Sequence, residues 1–266
     1  MSRFAMNPSR PIPFAHTLSP GQLASLSAAR HRSWQPGQTL RGTRHSEIFA
    51  SGAEASGAGF ALALALDDLA TRAEEAGAET DDRRAVLWVQ DRTALKLTGR
   101  PYRPGLPESL RHRLIHVLTE NAQDALFALE EGVRCRELAC VIGEVAGNPR
   151  ALDFTASRRL TLAAERHGVA LWLVRLDAAH DLSSARMRWE VGSAPSDAPP
   201  WNAAAPGLPT WRAVLFRSRS HAPGQWIMYD DGTGRIAPAA QPSGAAAAAN
   251  PVAVAGAAGD RSLAAR

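Results

Sequence analysis

The sequence predicts an α/β fold: a mostly parallel sheet flanked by helices, with antiparallel strands added at the C-terminal part. Three observations predict it. Between residues 47 and 174, short apolar runs alternate with segments of helical period, the order expected of parallel strands covered by helices on both sides. A glycine-rich loop, residues 51–59, joins the first such strand to the first such helix. Beyond residue 185 no helical pattern intervenes, and alternating strands follow one another across turns.

Residues 47–50 form the first expected strand. A helix over 60–76 follows. Phe60, Leu62, Leu64 and Leu66 also alternate as in a strand, but the residues between them are alanine, and Leu62, Leu66 and Leu69 share one helical face. Gly77 ends the helix. Residues 85–89 and 114–118 are continuous apolar runs, as in buried parallel strands. Residues 121–134 read as an amphipathic helix, with Asn121 as N-cap and Ala122, Ala125, Leu126, Leu129 and Val133 on one face. Residues 140–145 are the strongest strand, 155–167 a helix closed by Gly168, and 169–174 the next strand. The last strands are expected at 186–191, 211–217 and 226–229, extending the same sheet. A proline-rich loop over 195–209 joins two of them, and Trp201, Trp211 and Trp226 are expected to pack on the sheet.

The 266 residues, 45% of them hydrophobic, suffice for one core with tails. The domain reading is an N-terminal arm over 1–36 with a short helix over 20–32, a core over 37–237, and an Ala/Gly/Pro-rich tail over 238–266 expected to be disordered. No run reaches the roughly 18 apolar residues a membrane helix needs. The opening residues lack the pattern of a secretory signal, so a cytoplasmic location is expected. Net charge is +4, and Lys96 is the single lysine among 30 basic residues. The arginines are dispersed among acids, a weak signal for direct DNA binding. Cys135 and Cys140 suggest neither a disulfide framework nor a zinc site.

Strand, glycine-rich loop and helix are the context of a phosphate loop, here carried by Gly52, Glu54, Ser56, Gly57 and Gly59. A working loop also needs a lysine for the β and γ phosphates and a hydroxyl for Mg²⁺. Ala58 and Gly59 stand where those residues would follow Gly57. No catalytic residue, metal ligand or cofactor is assigned, and ATP hydrolysis is not expected. Taken alone, the glycines read as a tight turn between strand and helix.

Three sets of residues carry a family resemblance. Glu47-Ile48-Phe49 followed by Gly52-Ala53-Glu54-Ala55-Ser56-Gly57 resembles the first strand and phosphate loop of RecA-type recombinases with the Lys-Thr lost. The segment 125–134, the strand 140–145, and Leu152-Asp153-Phe154-Thr155-Ala156-Ser157-Arg158-Arg159-Leu160 come next. Pro209-Thr210-Trp211-Arg212 and Gly224-Gln225-Trp226-Ile227 complete the series. Over roughly residues 38–238 the chain resembles the ImuA family of inducible-mutagenesis proteins, also described as RecA-like or SulA-like. The resemblance implies a RecA-like core with a degenerate phosphate loop and a non-catalytic accessory role in error-prone translesion synthesis. The implied partners are ImuB (a Y-family-like polymerase homologue), RecA and an error-prone replicative-type polymerase. Two alternatives are an atypical nucleotide-binding protein or weak ATPase, and a SulA-like inhibitor of cell division.

Glu144 ends the strand that would carry the Mg²⁺-associated acid of a RecA-type site, and so reads as a vestige of it. Its other reading is a strand-end carboxylate meeting water or an arginine such as Arg158 or Arg159. Those two arginines mark a possible basic surface, or a solvated rim. His112 and His116 lack the residues between them that a metalloprotease motif requires. Asp67, Asp68, Glu74 and Glu75 are expected on a solvated helix surface, and residues 230–234 as a turn.

Overall fold

The computed structural model describes residues 34–36, 44–77 and 82–239; the expected helix over 20–32 lies outside them. The strands among them are β1 (His45–Ala50), β2 (Ala85–Asp91), β3 (Leu114–Thr119), β4 (Leu138–Ala146), β5 (Ala170–Leu176), β6 (Met187–Ser193), β7 (Thr210–Ser218), β8 (Gly224–Asp230) and β9 (Ile236–Pro238). They form one sheet in the order β3-β2-β4-β5-β1-β6-β7-β8-β9. Neighbours from β3 through β6 pair in parallel, and β6 through β9 pair antiparallel. This is the mixed α/β architecture that the alternation of patterns predicts.

Among the described residues five α-helices connect or cover the strands: α1 (Ser56–Ala76), α2 (Arg92–Thr98), α3 (Glu108–Arg111), α4 (Ala122–Arg134) and α5 (Phe154–His167). α1 lies on one face, where Phe60 and Leu64 pack with Ile48, Trp172 and Trp189. α4 and α5 lie on the other, where Leu129, Val133 and Leu160 pack with Val141, Leu171 and Leu173. Each fully buried large side chain here contributes about 1.5–3 kcal/mol. The helix ends follow the sequence. Asn121 and Asp153 accept from the amides of Asp124 and Ala156, satisfying donors that a helix start leaves open. Gly77 and Gly168 close α1 and α5 in the left-handed conformation.

Several expectations need correction. β3 is an edge strand with Ile115 and Leu118 exposed, because an apolar run reports hydrophobicity and not how many neighbours a strand has. α2 and α3 are too short to show a period, and the sequence reading missed them. Trp34, assigned to the arm, is fully buried, edge-on to Trp189 and Trp226 at 4.9 and 5.5 Å. β9 carries the sheet to Pro238, one residue into the assigned tail. Asp67 and Asp68 are buried rather than solvated. Arg235 reaches Asp67 at 3.4 Å and Arg72 pairs with Asp68, so cations distant or one turn along compensate the burial. Trp211 and Trp226 pack on the sheet as expected, but Trp201 is 79% exposed on its loop.

Candidate functional site

The glycine-rich loop leaves the carboxyl end of β1, which lies between β5 and β6 near the middle of the sheet. Ligands of open α/β sheets bind outside such strand ends. Here the position is filled from within the chain. The Gly52 amide donates to Asp177 Oδ1 at 2.9 Å, and Asp177 follows β5 directly. A Cβ on residue 52 would stand 2.6 Å from Asp177 Oδ2 and 2.9 Å from Leu97 Cδ1. The backbone of Asp177 is left-handed, at φ 50°. The Ala53 amide is taken by Ser51 Oγ at 3.1 Å.

The remaining loop residues are held just as firmly. Glu54 accepts from the Ser193 amide at 3.1 Å, from Ser193 Oγ at 2.5 Å and from Ser56 Oγ at 2.8 Å. Burial works to raise this carboxyl. The donors from Ser193 and Ser56, with the Arg212 charge, outweigh it and hold the group below the usual carboxylate range. Glu54 thus staples the loop to the end of β6. Gly57 lets α1 approach the sheet, since a Cβ there would meet Ala50 Cβ at 2.7 Å and Val174 Cγ1 at 2.8 Å. A Cβ on residue 59 would stand at an ordinary 3.4 Å from the Trp211 ring.

Glu144 does not reach the loop, water or an arginine. It lies within β4, fully buried, and accepts from Trp88 Nε1 at 2.7 Å, Gln90 Nε2 at 3.0 Å and Thr98 Oγ1 at 2.8 Å. Burial pushes its carboxyl above the usual range despite these donors. Arg158 and Arg159 are exposed on α5, and Arg159 pairs with Glu130 of α4 at 3.1 Å. The structure therefore does not bring Glu144, Arg158 and Arg159 together with the loop. His112 follows α3, outside the strand that holds His116, and His116 Nε2 meets Gln90 Oε1 at 2.8 Å. Among the described residues no group of three or more His, Cys, Asp and Glu side chains is arranged to hold a metal ion.

No family model matches this chain, and no curated protein matches it.

The sequence reading missed Asp177, Leu97 and the segment 177–186. This segment also lies over a buried ionic group beside β1. Glu47, in β1, accepts from Arg188 Nε at 2.8 Å and from Ser183 Oγ at 2.7 Å, with Arg175 Nη1 at 3.8 Å. Phe49 and Phe216 lie under the Arg188 guanidinium, and His180 stacks on Phe216 at 4.2 Å. One signal was available for Asp177: an acid immediately after an apolar parallel strand falls at the same sheet edge as the glycine loop. Chemically, the site offers a pinned loop with its own anion and no lysine at the phosphate-loop positions. A cleft of about 460 Å³ beside α1 is lined by Gly59, Leu62, Leu66, Leu106 and Trp211, and residues 52–57 take no part in it.

Proposed function

We propose that this chain is an ImuA-type accessory protein of damage-induced translesion synthesis. It has a RecA-like core, acts in the cytoplasm through contacts with ImuB and RecA, and hydrolyses no nucleotide. The observation that carries the proposal is the loop after β1: it lacks lysine and hydroxyl at the phosphate-binding positions, and the Gly52 amide is already given to Asp177. Phosphoryl transfer relies on cations and oriented amides around the phosphates. A loop closed by its own carboxylate repels a second anion. The glycine loop at the carboxyl end of a central parallel strand supports the RecA-like reading of the core. Among the described residues no helix is long and apolar enough to cross a membrane, in keeping with the location proposed.

The test is capture by the tagged full chain of ImuB and of RecA, each purified. Retention of either at micromolar concentration is expected, and recovery of neither would overturn the proposal. One observation favours a second reading, nucleotide binding by an atypical site. Lys96, the single lysine, sits on α2 beside Leu97, which packs against Gly52. Calorimetry with ATP and Mg²⁺ separates the two, with Lys96→Ala and Glu54→Ala as controls. Saturable Mg²⁺-dependent binding, lost in the controls, would establish the nucleotide reading in place of the first.

A further inference from the structure

The face of β6, β7 and β8 opposite α1 carries no helix among the described residues. α1 packs on the other side of these strands, and α4 and α5 pack on the parallel half of the sheet. Strand alternation puts Glu190, Arg212, Val214, Gln225, Ile227 and Tyr229 on this open face, while Phe216, on the same side, is covered by His180. Glu190, Arg212 and Gln225 are exposed, and Val214, Ile227 and Tyr229 are half-buried. Such a face differs from an ordinary solvated one, which carries mostly polar side chains.

The placement of the two charges selects an occupant. Glu190 pairs in register with Val214, and Gly192 with Arg212, so the acid and the base are diagonal neighbours on adjacent strands. Arg212 also pairs with Ile227, which sets an aliphatic side chain next to the charges. The Arg212 charge also acts on Glu54 through space. A two-fold axis passing between Glu190 and Arg212 brings Glu190 of one copy onto Arg212 of the other, and the reverse, with Val214 of both copies beside the axis. An isologous interface requires a patch that complements itself in this way.

We propose that this chain forms a two-fold dimer through the open β6–β8 face, the sheets packed face to face about 10 Å apart. The patch is only about three strands wide, so the association falls at the weak end of specific interfaces.

The experiment is sedimentation velocity of the full chain from about 1 to 100 μM. A concentration-dependent dimer is expected. Arg212→Glu and Glu190→Arg each place like charges across the axis twice, and each should weaken the dimer at least tenfold. The double variant R212E/E190R restores the pairing and should return to within about threefold of the original. Thermal unfolding checks that each variant folds. Should a reversal fail to fold, Val214→Lys tests the same axis without touching either charge. A monomer throughout the range, or single reversals that leave the dimer unchanged, overturns the proposal. Reversals that abolish ImuB or RecA capture from a protein monomeric throughout would assign the face to a different protein partner.

Discussion

The Gly52 amide and the Asp177 carboxylate are joined at 2.9 Å, and the carboxylate fills the space a side chain on residue 52 would need. The two positions are therefore energetically coupled. Gly52→Ala alone overpacks the site and should cost about 1–3 kcal/mol. Asp177→Gly loses a charge-assisted hydrogen bond, worth about 1.5–3 kcal/mol, and recovers part of that by relieving a left-handed backbone. With the carboxylate gone, Gly52→Ala should cost at least about 1 kcal/mol less. Urea unfolding of the four proteins measures the difference. Additive costs would show that the contact does not hold the loop.

Two glycines two residues apart on α1 should respond in opposite directions to the same substitution. Alanine gains about 1 kcal/mol over glycine within a helix. At Gly59 the nearest atom to a new Cβ is the Trp211 ring at 3.4 Å, so Gly59→Ala should stabilise by about 0.5–1 kcal/mol. At Gly57 the new Cβ falls 2.7 Å from Ala50 Cβ, an atom fixed to the β1 backbone. Overpacking against that strand exceeds the propensity gain, so Gly57→Ala should lower the melting temperature by several degrees. Equal effects at the two positions would contradict the packing of α1 on β1.

Period and caps made most of the fold legible. The continuous run before Asp91 and the run at β4 gave buried parallel strands, while Asn121, Gly77 and Gly168 marked helix ends through local hydrogen bonding and backbone freedom. Strand order was not legible, since β1 pairs with β5 across more than 120 residues and no local pattern encodes that choice. The site was legible only as a loop. Its lost lysine is a property of residues 52–59, but its occupant, Asp177, comes from a distant strand end. The same limit hid the partners of Asp67 and Glu47, whose burial depends on Arg235 and Arg188 arriving from elsewhere in the chain.

Glu144 separates the effect of burial from that of hydrogen bonding. All three neighbours donate to its carboxylate, yet burial leaves its folded affinity for protons above the unfolded value. The cost of the charge therefore develops as pH rises above the unfolded carboxyl range and is complete above the folded one. Glu144→Gln keeps an acceptor for Trp88 and Gln90 and removes the charge. Its stability relative to the parent should rise with pH across that window. Glu144→Leu leaves the buried Trp88 donor without an acceptor, whereas Gln90 keeps the Gly99 carbonyl, and should cost about 1–3 kcal/mol. Chemical denaturation from pH 4 to 8 distinguishes these, and a Gln variant whose difference from the parent is flat with pH would refute the assignment.

His45 should make the fold sensitive to mild acid. It is fully buried at the start of β1, and Thr161 Oγ1 lies 2.8 Å from its Nδ1. Thr161 gives its own proton to the Ser157 carbonyl, so it accepts from His45 Nδ1–H, which leaves Nε2 as an unprotonated nitrogen without a hydrogen-bond partner. Burial is the main reason the folded imidazole titrates at about 4 instead of 6.5, with the Arg186 and Arg188 charges acting the same way and those of Glu47 and Glu165 opposing. A base whose folded affinity for protons is lowered costs nothing above pH 6.5. As pH falls from 6.5 towards 4, the unfolded chain takes up a proton that the folded chain refuses, and stability drops by roughly 3 kcal/mol over that window. His45→Gln removes the titrating group while retaining an amide for Thr161. The variant should be less stable than the parent at pH 7, where a fitted buried ring has been lost, and the gap should narrow steadily towards pH 4.5. Urea midpoints at half-unit pH steps measure it, and a gap that stays constant from pH 7 to 4.5 would mean that His45 takes up its proton in the folded state as readily as in the unfolded one.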